Sequence, residues 1–250
     1  MSSPATPEVT SSEPLSFGQR VINIFVAPSK TFKDLNRDPS WWGAWLLMVV
    51  FTIPLVYAMQ TKVGFDQISR NEIAINQKAS AQLDKLSPEQ RERQIEISAK
   101  VSQYITWSIP VLSLLFVAII AGVLVGTFNF GLGAEVKFGL AYAVVMWGYL
   151  PGIVRSLLAT ISLFAGADPE GFNPRNPVAL NLGFFINRAD HPALYSLLSD
   201  VDIVSIWICI LLAIGFASIS KVKRSTAMSV IFGWYILLSL IGVGWIAIFS

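Results

Sequence analysis

The chain is poor in the residues that most enzyme and metal chemistry uses. Among 250 residues there is one cysteine, Cys209, and one histidine, His191. A single thiol excludes an internal disulfide, and a single imidazole excludes a multi-histidine metal site. Charged residues make up only 14% of the chain, against about 25% in soluble domains. Net charge is +2, so no strong basic field points to nucleic acid. No phosphate-binding Gly-Lys-Ser/Thr loop, Gly-x-Ser-x-Gly elbow or His-Glu-x-x-His pair occurs. The glycines at 131 and 133 lack the rest of a dinucleotide fingerprint. A basic start followed by an apolar core and a cleavage site is also missing, which leaves targeting to the first true span.

What the chain has instead is apolar length. Hydrophobic residues reach 54% and mean hydropathy is +0.59. The class implied is all-α, a polytopic transmembrane helical bundle, because only helices and closed barrels satisfy backbone groups in lipid. Five spans are expected at about 41–59, 105–128, 138–165, 203–219 and 227–249. The first holds nineteen uncharged residues and rises about 28 Å, near the thickness of a bilayer core. Trp41, Trp42 and Trp45 open it, where indoles favour the headgroup boundary. Pro54 should kink it.

Around these spans, 1–14 reads as a disordered tail rich in Ser, Thr, Pro and Glu. Residues 15–40 read as a cytosolic interfacial segment, broken at Pro28, with Ser29 capping a short second helix. The stretch 62–104 is a polar helical loop. Ser87-Pro88-Glu89-Gln90 supplies a capping box with proline at the first helical position. A second box, Ser199-Asp200-Val201-Asp202, should start the fourth span. Between the two boxes, Val178–Ile186 is apolar enough to lie in the interface or dip into the membrane, and too short to cross.

Orientation follows from the basic residues. Plain counts on the two sides nearly tie. The compact Lys221, Lys223 and Arg224 cluster abuts the membrane, whereas most basic residues of the opposite side are spread along the first loop. Position outweighs number here, so the N-terminus is expected in the cytoplasm and the C-terminus outside.

A few positions stand out. Gly122 and Gly126, four apart, would let another helix approach the second span closely. Asp168, Glu170, Asp190, His191, Asp200 and Asp202 share one loop side, but cap duty and solvation explain them better than a cation site. Arg155 is the one charge inside an apolar segment. It would snorkel to the outer headgroups, bond the carbonyl near Trp147 that Pro151 frees, or serve recognition.

Two pieces of sequence carry a family likeness. One is Ala-Pro28-Ser-Lys-Thr-Phe32-Lys-Asp-Leu35-Asn-Arg-Asp38-Pro39-Ser-Trp41-Trp42 before the first span. The other is Phe138-Gly-Leu-Ala-Tyr142 leading to Trp147-Gly148-Tyr149-Leu-Pro151 in the third. With five spans and an N-terminal cytosolic region, the chain resembles the Yip-domain (Ypt-interacting protein type) family, in its bacterial branch. The aspartate and proline of the entry, Asp38 and Pro39, and the Gly148-Tyr149…Pro151 element of the third helix are the most specific parts. Eukaryotic members are similar to membrane-traffic factors that contact small GTPases. For the bacterial branch the resemblance implies a protein of the cytoplasmic (inner) membrane without an assigned chemistry. The expectation is a non-enzymatic protein with no cofactor and no metal. Its partners would be the lipid bilayer and a membrane-protein partner or a second copy of itself, and not nucleic acid. The alternative is a small transporter or permease-like subunit.

Overall fold

The computed structural model describes residues 13–249, so the expected tail, 1–14, lies outside the described residues except for Glu13 and Pro14. The described chain is helical, with no β-strand beyond one isolated antiparallel bridge between Asn181 and Asp202. Five helical stretches are long and apolar enough to cross a membrane: Trp42–Val63, Pro88–Gly131, Phe138–Phe164, Ile203–Ser220 and Arg224–Ile246.

Two short helices come first. Helix α1 (Phe17–Val26) starts at a full capping box, in which Ser16 Oγ accepts from the Gln19 amide and Gln19 returns the bond. Helix α2 (Pro28–Leu35) has Pro28 at its first position and Ala27 as the cap residue. The expected Ser29 cap is therefore corrected. Proline's fixed φ and missing N–H suit that first position, and Ser29 already lies inside the helix.

Helix α3 (Trp42–Ala58) contains Pro54 and runs on into a π-helical turn, Met59–Val63. Gly64, at φ +85°, ends it in a conformation that suits glycine. Helices α4 (Phe65–Ile75) and α5 (Gln77–Leu83) follow. Helix α6 (Pro88–Gly126) then begins at the Ser87–Gln90 capping box and continues without a break through the second span. At 39 residues it is about 58 Å long, so roughly its first half stands clear of a bilayer core of about 30 Å. Trp45 Nε1 donates to the carbonyl of Pro110 at 3.0 Å, which ties α3 to α6, and the Ser113 hydroxyl of α6 donates to the same carbonyl at 2.7 Å.

The third apolar segment is two helices, α7 (Phe138–Gly148) and α8 (Gly152–Phe164), joined by a turn at Tyr149–Pro151. The carbonyl of Trp147 accepts from the Leu150 amide at 3.2 Å. The chain thus satisfies locally the group that Pro151 was expected to strand. Helix α9 (Pro192–Ser199) precedes α10 (Ile203–Ser220) and α11 (Arg224–Phe249).

The core sits where α7 meets α10. Ala141, Val144, Trp147, Leu211, Leu212 and Phe216 are all buried there, together with Phe32 and Leu35 of α2. Close approach depends on two glycines. A methyl group on Gly148 would lie 2.6 Å from Leu212 Cδ2, and one on Gly215 would lie 2.4 Å from Val144 Cγ1. Gly122 and Gly126 do not do this work. A methyl on Gly122 would find only Phe138 at 4.0 Å, and one on Gly126 nothing within 4 Å. Among the described residues, the tight helix crossing they permit is not made.

Two ends of the bundle result. At one end lie α1, α2, the 132–137 link and the α10–α11 turn, where the Arg224 guanidinium donates to Ser29 Oγ at 3.2 Å. At the other, α4, α5 and the projecting part of α6 form a cap with the 166–202 loop. Asn71 Nδ2 donates to the carbonyls of Pro169 and Phe172 across that cap, at 2.8 and 3.1 Å.

Candidate functional site

Two charged constellations are built into the bundle, one at each end. At the N-terminal end, Arg20 lies on the same face of α1 as Ile24, and both are buried. Its Nε donates to Asp34 Oδ2 at 2.7 Å and its Nη2 to Asp38 Oδ2 at 3.0 Å. The side chains of Arg20 and Asp34 are each 6% exposed. The Leu15 amide adds a bond to Asp34 Oδ1 at 3.3 Å, and the Thr31 hydroxyl donates to the Arg20 carbonyl at 3.0 Å. A buried ion pair is stable only when such extra bonds satisfy its remaining groups. Its effect is to lock α1 against α2. Asp38 joins the network, while Pro39 is exposed beside it. From there the chain reaches the first span past Ser40, whose carbonyl accepts from Trp147 Nε1 at 2.9 Å.

Locked in this way, α1 still presents Ile22 and Val26 to the outside, 63% and 73% exposed. Phe17 is half exposed and contacts the Trp147 ring, with centroids 6.1 Å apart. Lys30, Lys33, Arg37, Lys137, Lys221, Lys223 and Arg224 are exposed on the same end of the bundle.

At the opposite end, a cavity of about 420 Å³ lies between the 166–202 loop, the start of α10 and the last turns of α11. Arg155 of α8 faces it. Its Nη2 donates to Asp202 Oδ1 and, at 3.1 Å, to Ser205 Oγ. Asp202 is the residue that caps α10, accepting from the Ser205 amide at 2.7 Å, and its side chain is 5% exposed. This corrects two expectations. Arg155 is not engaged with the carbonyls near Pro151, because its guanidinium pairs with a carboxylate at the start of the next span. Ser199 does not cap α10 either. It closes α9, with its Oγ buried, without a hydrogen-bond partner and held close to Gly183.

The other walls are braced. Arg188 meets Glu72 with two bonds of 3.1 Å, joining the loop to α4, and lies over the Tyr195 ring at 5.8 Å. Asn176 and Asn181 exchange amide bonds of 3.1 and 2.8 Å. The Tyr195 hydroxyl accepts from Asn173 Nδ2 at 2.8 Å. Tyr235 of α11 donates to the Asp200 carbonyl and the Ser239 hydroxyl to Asp200 Oδ2.

Tyr149 and Pro151 sit in the α7–α8 turn, away from the Arg20 network. Pro151 is buried there, and the Tyr149 ring meets Phe116 of α6 edge-on at 5.8 Å. Among the described residues, no group of three or more His, Cys, Asp or Glu gathers in a way that could hold a metal ion. Sequence reasoning missed Arg20. The one available signal was its place four residues before Ile24, on the helix face that had to be buried. It also missed that Asp202 would answer Arg155.

Compared with known proteins, the family model described as the Yip1 domain matches residues 22–246. No curated protein and no solved structure matches the chain.

Proposed function

The chain belongs to the Yip1-domain family, and from that membership we propose a non-enzymatic, multi-pass membrane protein that organises membrane or gathers membrane partners through its docked α1–α2 unit. The observation that carries this reading is the buried Arg20–Asp34 pair. It holds a short amphipathic helix rigidly on the bundle while leaving Ile22 and Val26 exposed. An amphipathic helix beside basic residues suits the headgroup boundary of an anionic leaflet, where each lysine or arginine near the surface adds about 1 kcal/mol of attraction. A bacterial cytoplasmic membrane, with the α1–α2 unit in the cytoplasm, provides that leaflet.

Photo-crosslinking tests the proposal. A photoreactive residue at Ile22 or Val26, activated in intact membranes, should yield lipid adducts or one discrete protein adduct, whereas the same probe at Gln82 should not yield the same product. Identical products from all three positions would overturn it. Solute flux in proteoliposomes of the purified protein would favour the transporter alternative.

A further inference from the structure

The cavity at the loop end has a charge arithmetic that the α1–α2 reading does not use. Six charged side chains line it: Arg155, Arg175, Arg188, Glu72, Asp200 and Asp202. Four of them cancel in two pairs, Arg155 with Asp202 and Arg188 with Glu72. Two are left over. Among the described residues no carboxylate pairs with Arg175, and no cation pairs with Asp200, whose carboxylate takes a bond from the Ser239 hydroxyl. The cavity therefore offers one unspent positive and one unspent negative charge inside a single space.

Size and walls fit a small ligand. About 420 Å³ lies within the usual range for ligand pockets, roughly 300–1,000 Å³. The bracing by Arg188, Asn176 and Asn181 forms the walls in advance, which removes ordering cost from binding. The lining also includes Trp245 and Ile246, from the last turns of the membrane-spanning α11. Apolar chains of an amphiphile could follow that helix while the polar end enters the cavity.

We propose that this cavity binds a zwitterion carrying a phosphate and a primary ammonium, with Arg175 holding the anionic end and Asp200 the ammonium. That chemistry is shared by the headgroup of phosphatidylethanolamine and by free phosphoethanolamine. Arginine suits phosphate because its fork can donate two parallel bonds, and a carboxylate suits a primary ammonium with three donors. The proposal stands independently of any role for α1.

Calorimetric titration of the full chain in detergent tests it with three probes: a short-chain phosphatidylethanolamine, free phosphoethanolamine and a short-chain phosphatidic acid. The last has the phosphate without the ammonium. The parent protein should bind at least one of the first two more tightly than phosphatidic acid. Binding of the lipid alone identifies a membrane ligand, and comparable binding of the free headgroup identifies a solute. Arg175→Gln should weaken every probe about tenfold or more, the scale of a lost charged hydrogen bond. Asp200→Asn should weaken the ammonium-bearing probes to the level of phosphatidic acid and leave phosphatidic acid unchanged, since asparagine can still accept from Ser239. Arg175 is exposed, so its variant also serves where Asp200→Asn alters folding. Parent binding that does not favour the ammonium-bearing probes, or an Arg175→Gln protein that binds like the parent, overturns the proposal.

Discussion

Replacing Arg155 by alanine should destabilise the bundle, and the structure sets the scale. Removing one partner of a fully buried ion pair costs about 3–5 kcal/mol. Here the stranded carboxylate, Asp202, is 5% exposed, but the Arg155 side chain is 36% exposed and already partly solvated. Asp202 would also keep the Ser205 amide bond at 2.7 Å. Both facts lower the expected loss to roughly 1–3 kcal/mol. Asp202→Ala removes the pair and the helix cap together, and the cap alone is worth about 1 kcal/mol. The double variant should then cost less than the two single losses added, with a coupling of roughly 1–2 kcal/mol. Arg155→Lys should retain half or more of the stability. One nitrogen, Nη2, addresses both Asp202 and Ser205, so the arginine fork is not used there and an ammonium can replace it. Unfolding by sodium dodecyl sulfate titration in mixed micelles, followed by tryptophan fluorescence, measures each variant. An alanine variant as stable as the parent, or strictly additive losses, would refute the pairing argument.

Gly215→Ala should cost about 1–3 kcal/mol by overpacking, because its new methyl falls 2.4 Å from Val144; thermal melting in detergent reads the loss, and an unchanged midpoint would contradict the α7–α10 packing. Arg20→Ala strands buried Asp34 and should free α1, so amide exchange over 17–26 should speed up while exchange in α10 stays slow. At the far end, the bond from Arg70 holds the Glu92 carboxyl below its ordinary range. A depressed folded value means that the α4–α6 link contributes above the ordinary glutamate range and is lost as pH falls through the depressed value. Protection of the α4 amides, corrected for the intrinsic pH dependence of exchange, should therefore fall selectively in acid, and Glu92→Gln should remove that dependence.

The spans were legible because hydropathy is local: a run such as 203–219 must face lipid or a helix wherever it lies. The Ser87–Gln90 box was legible for the same reason, since all its bonds fall within four residues. Pairings were not. Arg155 and Asp202 are 47 positions apart, and nothing in either neighbourhood names the other. Arg20 was not legible either, because an isolated basic residue in a short helix carries no mark of burial until Asp34 folds back onto it. The glycines show the limit of a motif. Gly122 and Gly126 have the spacing of a helix crossing, yet the close contacts occur at Gly148 and Gly215, whose partners come from other helices.

Sidedness bears on every role assigned to the two ends of the bundle, and labelling with an impermeant thiol reagent tests it most directly. With Cys209 changed to serine, Lys223→Cys and Gln82→Cys are each introduced at an exposed position, one at the α10–α11 turn and one on the far cap. In intact cells the reagent should modify the cysteine at 82 and leave that at 223 untouched until the membrane is opened. Modification of 223 but not 82 from outside would reverse the bundle and contradict a cytoplasmic α1–α2 unit.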